Sequence, residues 1–288
     1  MRGPKDLAIA VRKSDDEIVL KKEKLNTLAM RYKIFGLPFI RGVVGLVESL
    51  AFGIRALMYS AEFFEEGDKE ESILDKVFKD KAEDVEIVLT LLFSLALTIG
   101  FFILLPTFTT NLLKARIPSP ILLNLVEGLI RILIFLIYVT LVSGLEDIER
   151  VFEYHGAEHK AIHCYESGDE LTVENVKKYP ILHPRCGTSF LFMVMIVSIL
   201  VLSFFGWPNP LQRLIIRLLM LPIIAGISYE INRFIGKSNS LLAYYLSYPG
   251  LLIQKLATVR EPDDDQIEVA IEALNAVLTE NKEEDLWR

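Results

Sequence analysis

Long uncharged runs, separated by charge-dense segments, set the pattern of this chain. Residues 87–113 and 186–212 each contain 27 consecutive uncharged positions. A bilayer core about 30 Å thick needs roughly 20 helical residues at about 1.5 Å per residue, so either run can span it. Four spanning helices are predicted, over 85–106, 120–145, 188–207 and 211–232, the last kinked at Pro222. The fold class that follows is a mainly α, polytopic helical membrane protein.

The flanking segments carry other periodicities. Residues 1–33 form a first region, in which two β-branched runs flank a polar turn and predict a small β-hairpin over 7–22. The segment 34–64 is apolar but interrupted by Arg41, Glu48, Arg55 and Glu62, which recur every seven residues as one drifting stripe. Gly42, Gly45, Ser49 and Gly53 form a neighbouring face of small residues. An interfacial or re-entrant helical segment is expected there, followed by a linker to residue 84. The transmembrane domain then covers 85–257 and includes a His-rich loop at 146–187. Residues 238–254 are uncharged, short and interrupted by Pro249-Gly250, and read as a helix at the interface. The tail, 258–288, is acidic; Ile267, Ile271, Leu274 and Leu278 fall at helical spacing, which suits an amphipathic helix able to engage a partner.

Composition narrows the classes. Of 288 residues, 52% are apolar and 24% charged, with a mean hydropathy of +0.37, which excludes a purely soluble enzyme, a disordered chain and a disulfide scaffold. The net charge of −7 resides in the tail, where 261–288 alone sum to −8, so no basic nucleic-acid footprint exists. Two cysteines fit a reducing compartment, and the first 33 residues lack the apolar core of a signal peptide. With four spans, 26 of the 31 Lys and Arg residues lie on the side of the termini and the central loop. That asymmetry orients both termini to the cytosol, in a bacterial inner (plasma) membrane. Within the second span Glu127 and Arg131 are spaced i,i+4 and can neutralise each other; ionisable groups at this depth are candidates for function as well.

The chemistry concentrates in one stretch. All four histidines, His155, His159, His163 and His183, fall within 29 residues. The second span is expected to continue as a helix to about Glu166, ended by Ser167-Gly168. On it His155 and His159 share a face, a spacing that lets two imidazoles reach one metal ion. Glu158 precedes the second histidine, giving His-x-x-Glu-His, the inverted zincin motif, with Glu158 as candidate general base. The third ligand is expected from Glu230 or His183. A closed structural site of His163, Cys164, His183 and Cys186 is the alternative, although adjacent helical residues such as His163 and Cys164 point about 100° apart. Glu230 has a purely structural alternative too, as a carboxylate bonded to backbone or to Arg185.

Several motifs together resemble the YqhQ-like membrane protein family, a domain of unknown function (1385). They are Met1-Arg2-Gly3-Pro4, Arg41-Gly42 with Gly45-Leu46 and Glu48-Ser49, Tyr154-His155-Gly156-Ala157-Glu158-His159-Lys160, His183-Pro184-Arg185-Cys186-Gly187-Thr188-Ser189-Phe190, and Ser228-Tyr229-Glu230. The resemblance spans nearly the whole chain. It implies a metal-dependent enzyme of bacteria and plastids without an established reaction, and so a metal at His155, His159 and nearby groups. Members carry a glycine-rich segment upstream of the Arg-Gly-Pro motif at which this chain begins.

The expected function is a zinc (or other divalent transition metal) hydrolase at the cytosolic membrane boundary. A peptide segment or lipid headgroup delivered along the bilayer would be its substrate. The alternative is a non-enzymatic scaffold, transporter or channel whose metal site is structural or regulatory. Expected partners are the lipid bilayer and a second copy of the chain in a homo-oligomer, with no nucleic acid.

Overall fold

The computed structural model describes residues 1–63, 82–238 and 240–279. Most of the linker expected before residue 85 falls outside these, as does the acidic tail from 280 onward.

Strands β1 (Asp6–Arg12) and β2 (Ile18–Lys24) form the antiparallel hairpin, with Asp6 opposite Lys24 and Arg12 opposite Ile18. An isolated hairpin is marginal in water. This one turns Ala8 and Val11 inward, where both are buried. A short helix α1 (Leu28–Arg31), capped by Thr27, leads to α2 (Ile40–Ala61). Helix α3 (Ala82–Ile99) passes through a π-helical turn at Gly100–Leu104 into α4 (Leu105–Leu113). The remaining helices are α5 (Pro120–Val142), α6 (Glu146–Ser167), α7 (Val173–Val176), α8 (Gly187–Ser203), α9 (Pro210–Lys237), α10 (Leu241–Ile253) and α11 (Asp264–Val277).

Among the described residues, four helical stretches are long and apolar enough to cross a membrane: Ile40–Ala61, Val88–Leu113, Pro120–Val142 and Pro210–Lys237. None of the most apolar window of Val88–Leu113 is buried within the protein, so its leucines and phenylalanines need lipid around them. The third predicted span is α8, which at 17 residues is shorter than those four. It is nevertheless the packing centre of the bundle, in contact with α5, α9 and α10. Two close approaches explain small residues there. A Cβ on Gly128 would lie 2.2 Å from Ile199, and one on Gly250 would lie 2.4 Å from Ser189.

Helix α2 has both ends against the end of the bundle that carries the hairpin. At its start, Glu230 of α9 accepts from the Phe39 backbone N–H at 3.2 Å and from Arg41 Nε at 2.7 Å. Gly226 admits this approach, since a Cβ there would meet the Phe39 carbonyl oxygen at 2.9 Å. Further along, the Arg2 guanidinium lies 5.5 Å from the Phe52 ring and the Lys21 ammonium 4.6 Å from the Tyr59 ring. Of the small-residue face, Gly42 packs on Tyr229, whereas a Cβ on Gly53 would meet nothing.

Three sequence expectations need correction. The second span does not run on into the histidine helix; it ends at Val142, and a new helix starts at Glu146. The Ser143 hydroxyl donates to the Thr140 carbonyl, and Leu145 is extended. Glu146, Asp147 and Glu149 then fill a fresh first turn, where carboxylates complement the helix dipole. Pro249 does not interrupt α10, which is continuous from Leu241 to Ile253. The apolar face of α11 is not left for a partner. Its Ile267, Ile271 and Leu274 are buried with Ala8 of the hairpin and Ala157, Ala161 and Cys164 of α6. An Asp263–Gln266 capping box starts α11.

Candidate metal centre

Helix α6 has two faces. Ala157, Ala161 and Cys164 follow helical spacing and are fully buried in the core shared with the hairpin and α11. His155, His159 and His163 point the other way, toward the segment 177–186 and the turn that follows α10. Gly168, with φ of 83°, closes the helix as the sequence predicts.

Backbone carbonyls orient the three rings. His155 Nδ1 lies 2.8 Å from the Thr258 carbonyl oxygen, His159 Nδ1 2.6 Å from that of Ile181, and His163 Nε2 2.9 Å from that of Leu182. A carbonyl only accepts, so each of these nitrogens carries the proton. The opposite nitrogen of each neutral ring is left with a lone pair. For His155 and His159 that atom is Nε2, and the Nε2 of His155 lies 3.1 Å from Cys186 Sγ.

Cys186 caps the N-terminus of α8, with the Thr188 hydroxyl 2.9 Å from its sulfur. Burial alone would push its thiol up, but hydrogen bonds from His155 and His159 outweigh that and pull it down to about 5. Burial likewise opposes a charge on His155, yet the contact with Cys186 raises it above the usual histidine value. The contact between Nε2 and Sγ thus favours the thiolate, the form of cysteine that ligates a metal.

His183 begins the next turn. Gln254, with no exposed surface, clamps its backbone: the His183 N–H donates to Oε1 at 3.0 Å, and Nε2 of Gln254 donates to the His183 carbonyl at 2.9 Å. The Arg185 N–H donates to His183 Nδ1 at 3.2 Å, which puts the ring proton on Nε2. That Nε2 is buried and makes no hydrogen bond; its nearest acidic neighbour is Glu166 Oε2 at 3.7 Å. Glu166 also accepts from Arg185 at 2.5 Å. Burial alone would raise the Glu166 carboxyl, but His183 and Arg185 hold it below the usual range. Burial lowers His163, which keeps it neutral near pH 7.

Two groups of donors result. His155, His159 and Cys186 can bring one ligand atom each within 4.8 Å of one another, and so can His163, Glu166 and His183. The groups adjoin: ring centroids of His159 and His183 are 5.6 Å apart, and those of His163 and His183 are 4.5 Å apart. Both sets could hold a metal ion. The first fits one better, because carbonyls hold the Nδ1 atoms of its two histidines and leave Nε2 of each as the donor beside the Cys186 sulfur.

Other residues singled out by the sequence lie elsewhere. Glu230 is held by Arg41 and Phe39, outside both groups. Glu158 has a half-exposed side chain, with one carboxylate oxygen 3.7 Å from the Met1 amino nitrogen. Cys164 is buried on the opposite face of α6, with its sulfur 3.5 Å from the Glu170 carbonyl oxygen, so the four-ligand set with His163, His183 and Cys186 does not assemble. Arg185 positions Glu166. Glu127 is paired chiefly with Arg213 and Arg217 of α9, while Arg131 contacts it at 3.4 Å. Glu166 and Gln254 were not anticipated. Glu166, one turn after His163, offers a faint i,i+3 signal; Gln254, a lone amide ending an apolar helix, offers another.

The fold and this cluster define a class: a helical membrane protein with a His/Cys/Glu cluster, able to hold a metal, at one end of its bundle. The chain belongs to the family described as Protein of unknown function (DUF1385), whose model matches residues 37–280 and so includes every residue of both groups. It is 33% identical over 287 residues to the Uncharacterized protein YqhQ of Bacillus subtilis (strain 168), covering 96% of this chain and 88% of that protein. No solved structure matches it.

Proposed function

We propose that this chain is a metal-dependent membrane enzyme of the hydrolase type, holding a zinc-class ion on His155 Nε2, His159 Nε2 and Cys186 Sγ. The observation that carries the reading is the fixed tautomer of both histidines. Ligating imidazoles characteristically give their other N–H to a carbonyl or carboxylate, and Thr258 and Ile181 supply those carbonyls here. Three protein donors leave a tetrahedral ion one open position, as catalytic zinc requires. When bound, such an ion supplies Lewis-acid polarisation of a carbonyl or phosphoryl group.

The chain's own groups supply the rest. His163, neutral and with an Nδ1 lone pair, would serve as a proton acceptor. Glu166, fixed by Arg185, faces the His183 Nε2 proton and keeps that ring poised beside His159. Glu158 takes no part in this scheme. The excess of Lys and Arg on the histidine side supports a cytosolic orientation. Helix α2, anchored at both ends to that same side, would lie along the boundary with Val47, Leu50, Ile54 and Leu57 toward lipid, each of them more than half exposed. A substrate moving in the membrane plane, such as a peptide segment or lipid headgroup, suits that setting.

A structural role is the second reading. It is favoured by the way α6, the 177–186 segment and the Gln254–Thr258 turn all converge on the cluster, so that an ion there would clamp them together. Elemental analysis of the purified full chain, beside a His155→Ala/His159→Ala double variant, tests the shared premise. About one ion per chain, lost in the variant, is expected. Equal metal in both, or none in either, overturns the proposal.

A further inference from the structure

The opposite end of the bundle carries an unusual charge balance. Residues 87–145 and 186–229, which supply the helices meeting there, contain five Lys and Arg but a single acidic residue, Glu127. Glu127 is 2% exposed and lies seven residues into α5, roughly 10 Å along the helix axis. Arg213 and Arg217 both donate to it, Arg131 contacts it at 3.4 Å, and Thr107 Oγ1 donates at 2.8 Å. One carboxylate cannot neutralise three guanidiniums. Two positive charges are left over at a depth where unpaired charge is expensive.

A cleft of about 450 Å³ opens beside this cluster, lined by Asn111, Lys114, Trp207, Asn209 and Arg213 among others. Arg213 is thus shared between the buried cluster and the cleft wall. Arg213 is 5% exposed and its guanidinium stacks 3.7 Å from the Trp207 ring centroid, while Trp207 Nε1 donates to Asn111 at 3.2 Å. Stacking and pairing hold the guanidinium still, which pre-organises it for a second anion. Lys114 adds a further cation on the same wall. Leu112 and Leu211, each next in sequence to a residue lining the cleft, and Phe204, three positions before Trp207, are 68%, 67% and 89% exposed at the helix ends, which sets apolar side chains close to a cationic wall.

We infer that this cleft binds the phosphate headgroup of an anionic phospholipid from the leaflet opposite the histidine cluster. Arg213 and Lys114 would receive the phosphate oxygens, Trp207 would sit at headgroup level, and the acyl chains would run along the exposed leucines and phenylalanine. The cationic wall suits any phosphate, but the apolar surface beside it suits only a phosphate that carries a hydrocarbon tail. The inference is independent of the metal reading.

Trp207 provides the readout. In a full-length Trp287→Phe background, which leaves Trp207 as the sole tryptophan, its fluorescence is titrated with mixed micelles containing phosphatidylglycerol, with phosphatidylcholine micelles, and with inorganic phosphate. A saturable change with phosphatidylglycerol is expected, with clearly weaker responses to the other two. Lys114→Gln, which breaks no buried pair, should weaken the phosphatidylglycerol response about fivefold. Arg213→Gln should abolish it, and its thermal unfolding reports whether that variant has folded. An equal response to inorganic phosphate would reassign the site to a free anion and overturn the lipid inference. An equal response to phosphatidylcholine, or an unchanged response in Lys114→Gln, would overturn the cationic site itself.

Discussion

His155 Nε2 and Cys186 Sγ lie 3.1 Å apart although 31 positions separate the two residues. The contact exists because α6 aims its imidazole face at the residue that caps α8. A cysteine sulfur beside the Nε2 atoms of two histidines is a ready ligand set, and removing either side should disturb the other.

Gln254→Ala should loosen that arrangement without touching a ligand. The substitution leaves the His183 backbone N–H and carbonyl unpaired in a buried place, at a cost of about 1–3 kcal/mol. Thermal unfolding should therefore shift down and metal affinity should fall, whereas Glu158→Gln, in neither donor group, should leave metal affinity unchanged.

Two glycine substitutions should have opposite effects. A Cβ on Gly156 would lie 2.0 Å from the Arg260 carbonyl oxygen, and that backbone is itself tied to Phe152 by a 2.9 Å hydrogen bond. Gly156→Ala should cost about 1–3 kcal/mol and separate α6 from the segment before α11. Gly53→Ala meets nothing and should stabilise α2 by up to about 1 kcal/mol. Unfolding midpoints in detergent compare the two directly.

Much of this was legible in the sequence because it is carried by side-chain pattern. Apolar run length marked three of the four stretches able to cross a membrane, the spacing of Ile267, Ile271 and Leu274 marked the last helix, and four clustered histidines marked the site. What stayed hidden belongs to backbone and to distance. The carbonyls of Thr258, Ile181 and Leu182 have no residue signature, yet they decide which ring nitrogens are free. The i,i+4 spacing of Glu127 and Arg131 suggested a self-contained pair, but Arg213 and Arg217 are 86 and 90 positions from Glu127. Glu230 reads as a third ligand from its place at the end of the last predicted span, but Phe39 and Arg41 hold its carboxylate instead. The break after Val142 was readable in Ser143-Gly144 and the acidic turn that follows.

Glu127→Ala should be far more damaging than Arg131→Gln. The first leaves three guanidiniums without their carboxylate and should cost about 3–5 kcal/mol. Arg131 also donates to the Phe102 carbonyl at 3.1 Å, and its loss leaves Glu127 with Arg213, Arg217 and Thr107, so about 1 kcal/mol or less is expected. Thermal unfolding of both variants in one detergent checks the ranking.

Acid should act partly through Glu166. Its carboxyl is held below the usual range in the folded chain, so it contributes stability above the unfolded value of about 4.3 and loses it as pH falls through the folded value. Glu166→Gln should be less stable at neutral pH by about 1 kcal/mol or less, given its partial exposure. The two curves should converge at low pH; a constant gap would remove Glu166 from the acid response.

Cobalt substitution addresses the metal centre most directly. Full-length protein loaded with Co²⁺ should show a near-ultraviolet thiolate-to-metal charge-transfer band, with visible bands strong enough for a four-coordinate ion. Cys186→Ser should abolish the charge-transfer band, while Cys164→Ser leaves it intact. A cobalt spectrum without thiolate character, or one that Cys186→Ser leaves unchanged, would contradict the centre described here.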